Sequence, residues 1–218
     1  MAEQKRPPRG RPQRTEKQIA EMRAKISARA LRLFQEEGYE AISMRRLAKE
    51  AGLTPMTLYK YFDSKIDILR SLWAGIFGEL FIDLEKIAAR EPDPQARIHA
   101  VSLRYVTYWL DSPDHYFMVF MSKGISQLDV RGFVEADATL AWFYVLRDSL
   151  SAALGDGVEP PVKRLKSELL LCILNGIAHN LITISSYPWS DHEDLVRTAI
   201  DGLLPKNPSD APICGDAC

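Results

Sequence analysis

Apolar residues recur at intervals of three or four positions along most of the chain, which is the spacing of one face of an α-helix. The first stripe of this kind comprises Ile19, Met22, Ile26, Ala30, Leu33 and Phe34. Thr15 and Gln18 form a capping box before it, and Gly38 is placed to end a helix. The pattern predicts a first helix between Thr15 and Gly38.

Two short helices follow in the pattern, separated by a glycine turn. Ser43 is a suitable N-cap for a helix over about 44–51, and Gly52 supplies the turn. Thr54 caps the second short helix, which is predicted to end near Phe62. Two short helices joined by a tight turn form the helix-turn-helix arrangement, whose second helix enters the major groove of DNA.

The remainder of the chain is also predicted to be helical. Ser64 and Asp67 form a second capping box, and a long helix is predicted from there to the "EPDP" break at 91–94. Further helical patterns span about 95–111, 113–122, 131–154, 162–186 and 190–204. No segment gives a convincing strand, so the predicted fold is all-α with about nine helices.

Charge is distributed unevenly along a chain whose formal net charge is -1. Residues 1–70 carry 16 Lys and Arg against 9 Asp and Glu, whereas residues 71–218 carry 12 against 20. A basic head on an acidic body indicates binding of a polyanion.

Targeting signals and cysteine chemistry add little to this picture. We find no signal peptide and no apolar run near the roughly 18 residues that a membrane span requires. The three cysteines, of which Cys214 and Cys218 lie at the end of the chain, do not form a disulfide framework. We therefore expect a cytoplasmic protein in a reducing compartment.

The most basic stretch is "KRPPRGRPQRT" at residues 5–15. Arg9 and Arg11 flank a glycine in its core, "PRGRP", which resembles the AT-hook. An extended basic strand can lie in a narrow A·T-rich minor groove, where negative potential attracts arginine. The alternative interpretation is a solvated, disordered tail, because chain termini are often unordered and charged.

The helix-turn-helix segment, "SMRRLAKEAGLTPMTLYKYF", carries side chains that suit DNA binding. Arg45 and Arg46 project from the first turn of its first helix, and arginine can bind O6 and N7 of guanine together. The outward face of the second helix presents Thr57, Lys60 and Tyr61, whose polar groups can bind phosphates.

The N-termini of three helices, at Ser43, Thr54 and Ser64, also offer unpaired N–H groups to phosphate. The alternative is a helical hairpin in a protein that does not bind DNA, with the tyrosines packed in a core. The positive charge of the head and its arginine arm favour the DNA-binding interpretation.

A longer segment, "ISMRRLAKEAGLTPMTLYKYFDSKIDIL", closely resembles the DNA-binding domain of the TetR family of bacterial repressors. The family pattern places Thr or Ser before a helix, then "IA..AG", then "LY.HF" and an "sK..L" start of the fourth helix. The matching elements here are Ser43, Leu47-Ala48, Ala51-Gly52, Leu58-Tyr59-Lys60-Tyr61-Phe62 and Ser64-Lys65. The resemblance is specific over about residues 15–77.

The resemblance implies roles for individual side chains of the head. It implies that Arg45 touches a base edge, that Thr57 and Lys60 lie on the contacting face of the recognition helix, and that Tyr59, Tyr61 and Lys65 contact phosphates. Two positions depart from the family pattern: Met56 replaces a residue that is usually small, and Tyr61 stands where histidine is most usual.

The body is rich in aromatic residues at helical spacing, and most of them are expected to form ordinary core. Helical bundles also bind ligands between helices in apolar pockets, and the TetR resemblance implies such a pocket here. The predicted lining comprises Trp73, Phe77, Tyr105, Trp109, Met121, Trp142 and Leu146, with Asn175 and His179 as polar points. A histidine in an apolar run more often bonds a neighbouring side chain than a ligand.

The segment "LKSELLLCILNGIAHNLITISS" is apolar nearly all round, so it is either the centre of the body or partly covered by another subunit. The TetR resemblance implies a homodimer formed by the last two helices. The predicted organisation is a flexible basic arm (1–14), a DNA-binding domain (15–63), a helical effector-binding and dimerisation domain (64–204) and a disordered tail (205–218).

We find no enzyme motif in the sequence that would contradict this interpretation. The sequence has no HExxH, no phosphate loop and no nucleophile elbow, and we expect neither a metal nor a cofactor. The sequence analysis therefore predicts a ligand-responsive transcription regulator, of the repressor type, that binds double-stranded DNA. An architectural DNA-binding protein without a small-molecule effector remains the alternative.

Overall fold

The computed structural model describes residues 15–126, 130, 131, 133 and 143–205 of the 218-residue chain. Every regular element in that part of the chain is an α-helix, as predicted. The helices are α1 (Glu16–Glu37), α2 (Met44–Glu50), α3 (Pro55–Leu58), α4 (Lys65–Arg90), α5 (Pro94–Asp111), α6 (Pro113–Phe120), α7 (Tyr144–Leu154), α8 (Pro160–Thr183) and α9 (His192–Leu203).

The predicted helix starts are confirmed by their caps. Thr15 and Gln18 form the capping box of α1, and Gly38 ends that helix with a φ of 80°, a conformation that favours glycine. The side chains of Ser43 and Thr54 accept hydrogen bonds from the first turns of α2 and α3. Local polar side chains thus set where these helices begin.

The second short helix is shorter than the predicted one. Helix α3 ends at Leu58, and the following N–H groups of Lys60 and Tyr61 bond the carbonyls of Thr57 and Leu58, three residues back. This tighter pattern of hydrogen bonds interrupts the α-helical pattern, which returns in the bond from the N–H of Phe62 to the carbonyl of Leu58.

The described chain forms two compact units, one ending at Leu72 and the other beginning at Trp73, which we call the head and the body. The division falls inside α4, whereas the sequence analysis places it between residues 63 and 64. The head has its own apolar core, which contains Ile26, Ala30, Leu33, Phe34, Ile42, Leu47, Leu58, Phe62, Ile68 and Leu69.

In the body, α5 is the central helix. It packs against α7, α8 and α9, and α8 also packs against α7 and α9. Its buried side chains include Ile98, Val101, Tyr105, Val106 and Trp109. Helix α5 therefore positions Tyr105 and Trp109, whereas α4 carries Trp73 and Phe77, the other described aromatic residues that the sequence assigns to a pocket.

Helix α8 buries only part of its apolar surface within the chain. Leu170, Leu174 and Ala178 are buried, whereas Leu165 and Leu169 are exposed. By length and composition, α8 is the one helix among the described residues that could cross a membrane, a property that the sequence analysis did not assign. Core helices of soluble proteins have the same property, and α8 packs against three other helices of the body.

Several predictions fall outside the described residues. These are the basic arm at 1–14 with Arg9 and Arg11, the pocket residue Trp142, most of the first half of the predicted helix 131–154, and nearly all of the tail at 205–218 with Cys214 and Cys218.

Candidate nucleic-acid interface and effector site

Helices α2 and α3 are joined by a tight turn at Gly52. The φ of Gly52 is +66°, and the N–H of Leu53 bonds the carbonyl of Ala48 at 2.8 Å. Leu47, Ala48 and Leu58 are buried, which fixes the two helices to each other and to the core of the head. The turn therefore has the construction of a helix-turn-helix unit.

The outward side of this unit is exposed. Arg45 on α2, Met56 on α3, and Tyr59 and Lys60 just after α3 are all exposed, and Met56 keeps 77% of its surface accessible. Thr57 is half-buried, and its hydroxyl lies 2.9 Å from that of Thr54. The head thus presents an arginine, a lysine, a phenol and an apolar thioether on one short segment of chain.

The guanidinium group of Arg46 forms ion pairs within the head. It lies 2.9 Å from the carboxylate of Glu37 and 3.2 Å from that of Glu50. The hydrogen bond to Glu37, with the charges of both carboxylates, raises the pKa of Arg46. Arg46 therefore joins the C-terminal end of α1 to α2, whereas its neighbour Arg45 is exposed.

Lys65 begins α4 and connects it to the loop after α1. Its ammonium group donates a hydrogen bond of 2.7 Å to the carbonyl of Tyr39 and lies 4.1 Å from the centroid of that ring. Burial lowers the pKa of this lysine. One of its three donors is thus used inside the head.

Tyr61 requires a correction. Its side chain is 5% exposed and its hydroxyl is buried, so in this structure it does not present a hydroxyl to phosphate. Residues two positions apart in a helical segment face different sides, and the side of Tyr61 is the one that packs in the core, where Phe62 is also buried. Tyr59, which precedes it by two residues, is exposed in its place.

The hydroxyl groups of Ser43 and Thr54, the predicted N-caps of the two short helices, are occupied by backbone. Ser43 accepts from the N–H of Arg46 and Thr54 from that of Thr57, each at 3.2 Å. These side chains hold the helix starts in place, and the remaining first-turn N–H groups are the donors that the sequence analysis assigned to phosphate.

Two arginines of α1 stabilise the unit and were missed in the sequence analysis. Arg23 donates to the carbonyl of Tyr61 and stacks over the ring of Phe62, at 4.2 Å from its centroid. Arg29 donates to the carbonyl of Glu50 at 2.8 Å. No sequence motif marks these residues, because each bonds a backbone carbonyl more than 20 positions away.

In the body, most of the predicted effector residues meet in one aromatic cluster. Trp109 is fully buried, and its ring packs edge-to-face against the rings of Phe77 at 5.9 Å and Tyr105 at 6.1 Å. The indole N–H of Trp73 donates to the carbonyl of Met118. Leu146 is also buried, so Trp73, Phe77, Tyr105, Trp109 and Leu146 all lie in the interior.

Met121 requires a second correction. It is exposed at the C-cap of α6, and Phe117, one turn before it within the helix, is exposed as well. This face of α6 therefore points away from the interior, although the sequence pattern placed Met121 among the apolar lining residues. It does not join the interior cluster.

The two predicted polar points of α8 are each bonded to a tyrosine. The Tyr105 hydroxyl donates to Oδ1 of Asn175 at 2.8 Å, and the Tyr116 hydroxyl lies 3.0 Å from Nδ1 of His179. Burial raises the pKa of both hydroxyls. Asn175 and His179 thus form a polar edge on an otherwise aromatic interior, since both tyrosines also pack against Trp109.

Comparison with known proteins finds relatives of the head. Residues 26–72 match the family described as bacterial regulatory proteins, tetR family. A segment of 52 residues is 48% identical to an HTH-type transcriptional regulator of Staphylococcus aureus strain USA300, covering 24% of this chain and 28% of that protein. The chain thus covers less than a third of the length of the curated relatives it matches.

Solved structures resemble the chain over most of its length. The transcriptional regulator FadR from Bacillus subtilis, in complex with stearoyl-CoA, has a TM-score of 0.67 at 18% identity, covering 83% of this chain and 97% of that one. A TetR/AcrR-family regulator from Thermobifida fusca has a TM-score of 0.59 at 23% identity, covering 84% and 96%. Residues 26–72 therefore match the TetR family of bacterial regulatory proteins, and most of the chain has a fold similar to that of solved regulators of that family.

Proposed function

We propose that the protein is a cytoplasmic, homodimeric transcription repressor that leaves a near-palindromic operator when a small apolar or aromatic effector binds its body. The observation that carries the proposal is the exposed side of the helix-turn-helix unit, with Arg45, Met56, Tyr59 and Lys60 on a rigid, buried support. The TetR-family match of residues 26–72 supports the same function.

The side chains of the head divide between contact and support in this proposal. Arg45, Tyr59 and Lys60 are exposed, and we find no bond from their side chains to another residue in the described part of the chain. Arg45 therefore reads a base edge, and Tyr59 and Lys60 bind phosphates. Lys65 keeps two ammonium donors for a phosphate while the third holds Tyr39. Arg46 supports the unit through Glu37 and Glu50, and Tyr61 supports it from the core.

The proposed dimer uses the exposed apolar stripe of α8. Val162, Leu165, Leu169 and Cys172 are exposed at intervals of three or four residues, which places them on one face of the helix. Leu165 leaves 65% of its surface accessible, and an apolar row of this kind is typical of a helix that a second subunit covers. Helix α9 would complete a four-helix bundle across the two-fold axis.

The proposed effector site is the aromatic cluster around Trp109, with the Tyr105–Asn175 and Tyr116–His179 pairs as its polar edge. A ligand that enters would displace or extend those hydrogen bonds. FadR from Bacillus subtilis, which shares the fold, is in complex with stearoyl-CoA, so long acyl ligands belong in a screen beside aromatic ones.

Selection of DNA sequences by the purified protein tests the function. We expect a near-palindrome with half-sites about one helical turn apart or a multiple of it, because dimer symmetry requires it. Binding should weaken steeply with salt. Enrichment of no sequence over random DNA would contradict the proposal.

The alternative, an architectural protein without an effector, is separated by an effector screen on the protein–operator complex. Release of the operator by an apolar or aromatic compound supports the repressor, and loss of that release in Asn175→Ala and Tyr116→Phe would locate the site. If the compound still releases both variants from the operator, the effector binds at other residues. A complex that no compound affects favours the architectural alternative.

A further inference from the structure

A cavity of about 290 Å³ opens on the surface of the body between α7 and α8. Phe143, Leu146 and Leu171 give it apolar walls, and Arg147 and Arg164 stand on its two helices. Of the predicted effector residues among the described part of the chain, Leu146 alone lines it. The cavity is therefore a separate feature from the polar edge formed by Asn175 and His179.

The apolar walls of this cavity rest against the aromatic interior of the body. Leu146 is fully buried, and the ring of Phe143 packs at 5.0 Å from that of Phe81 and at 6.1 Å from that of Phe77. Both phenylalanines belong to α4, so the cavity is built on the outside of the aromatic interior. A preformed apolar surface of this kind binds an apolar group without having to rearrange.

The two arginines are held near the cavity by weak, exposed ion pairs. Arg147 lies 2.8 Å from the carboxylate of Asp148 and over the ring of Tyr144, and Arg164 lies 2.9 Å from that of Glu168. The arginine side chains are 52% and 83% exposed. Exposed pairs of this kind contribute little, so a ligand anion can replace the carboxylates.

The lining offers donors that suit an anion. Its charged side chains are Arg147, Arg164 and Glu168, and Asp148, which pairs with Arg147, is the neighbouring residue on α7. Arginine matches carboxylate and phosphate through paired N–H donors.

We propose that this cavity binds an amphipathic anion, with a short alkyl or aryl group against Phe143, Leu146 and Leu171 and one carboxylate or phosphate group between Arg147 and Arg164. The site is additional to the proposed effector site around Trp109. Because ligand binding to this cavity can be measured without DNA, its failure leaves the proposed DNA-binding function untouched.

Calorimetric titration of the full-length protein with four probes tests the site. Octanoate and octyl phosphate carry both parts of the ligand, whereas 1-octanol lacks the charge and inorganic phosphate lacks the apolar group. We expect both amphipathic anions to bind at least about tenfold more tightly than either partial probe, since each part contributes to the same site. The stronger of the two anions identifies carboxylate or phosphate as the preferred head group.

The double variant Arg147→Gln/Arg164→Gln should weaken binding of the anions by about tenfold or more. Lys86→Gln is the matched control, because it also removes an exposed charge paired with a carboxylate, that of Asp83 at 3.4 Å. We expect the control to bind as the wild type does, and thermal unfolding should confirm that all variants fold.

Four outcomes would overturn the site. Equal affinity of the double variant and the wild type for the anions would show that the two arginines do not contact the ligand. If 1-octanol binds as tightly as octanoate, the charged group of the ligand does not contribute to binding. If inorganic phosphate binds as tightly as octyl phosphate, the apolar group does not contribute. The fourth is the absence of binding by all four probes.

Discussion

The ammonium group of Lys65 donates to the carbonyl of Tyr39 at 2.7 Å and lies over the ring of the same residue, with 4.1 Å to its centroid. One lysine thus connects the first turn of α4 to the loop between α1 and α2. The family resemblance assigns this residue to phosphate alone, and the structure gives it a second role in holding the head together.

The pKa of Lys65 makes that role measurable. Because burial lowers its pKa in the folded state, the unfolded chain binds the proton more tightly at this position. The free energy of unfolding should therefore increase as the pH rises from the lowered pKa of the folded state towards the ordinary pKa of 10.5. Below the folded-state pKa, Lys65 is charged in both states, so burying that charge lowers the free energy of unfolding by its full amount.

Urea denaturation of the wild type and Lys65→Met across this alkaline window should detect the contribution. The methionine variant keeps the apolar stem and has no proton to bind, so the difference in free energy of unfolding, wild type minus variant, should rise with pH. A difference that is flat or falls with pH would contradict the burial of the charge. The same variant should bind all DNA sequences more weakly, because a phosphate contact is lost.

Neighbouring arginines of α2 should respond differently to substitution. Arg45→Ala should relax base preference at one operator position, at a cost of about 1–3 kcal/mol, because the exposed guanidinium is free to read a base edge. Arg46→Ala should lower the melting temperature of the head, since it breaks the link between Glu37 and Glu50. It should leave base preference unchanged.

Binding curves with the selected operator, single-position variants of it and scrambled DNA separate these effects. If Arg45→Ala weakens binding to cognate and scrambled DNA alike, its assignment to a base edge is wrong. If Arg46→Ala changes base preference without changing the melting temperature, Arg46 is a contact residue after all.

Met56 should contribute apolar recognition. Its side chain is 77% exposed on α3, where burying a thioether on DNA favours a thymine methyl group. Met56→Ala should reduce the preference for thymine at one position by roughly threefold to tenfold, on the scale of one or two buried methylene groups. The comparison of thymine with uracil at that position measures the methyl contact directly, and equal loss on both bases would rule it out.

The exposed stripe of α8 should decide the oligomeric state. Leu169→Glu places a carboxylate in the proposed apolar interface and should yield monomers. Ile82→Glu is the control, because Ile82 is an equally exposed apolar residue on α4. Light scattering should find the control dimeric, and a dimeric Leu169→Glu protein would place the interface on other residues.

Cysteine cross-linking gives an independent measurement of the same interface. Cys172 lies on the stripe and is exposed. With Cys214 and Cys218 replaced by serine, oxidation should link two chains through Cys172 if the two α8 helices meet there. A failure to cross-link together with a dimeric wild type would shift the contact along the helix.

The basic arm should add affinity at A·T-rich sites. Deletion of residues 1–13 should leave the fold and the dimer intact and weaken DNA binding, most at operators with A·T-rich flanks, because Arg9 and Arg11 favour a narrow minor groove. The measurement compares full-length and truncated protein on two operators that differ in their flanks alone. Equal losses would make the arm a nonspecific tether, and no loss would make it an idle tail.

The sequence by itself determined the local structure of the head. Thr15, Ser43 and Thr54 set where helices begin, and Gly38 and Gly52 set where the chain turns, because caps and positive-φ glycines act on residues close in sequence. The apolar stripes likewise predicted the helices of the body, since a helical period is visible without any tertiary contact.

The tertiary structure alone decided how individual side chains are used. Arg46 and Lys65 carry the charges that suit DNA, yet each bonds a group of the head that only folding brings near. Tyr59 and Tyr61 are chemically alike and two positions apart, but the packing of the head leaves the first exposed and buries the second. The pairing of Tyr105 with Asn175 joins residues 70 positions apart, and no local pattern encodes a contact over that distance.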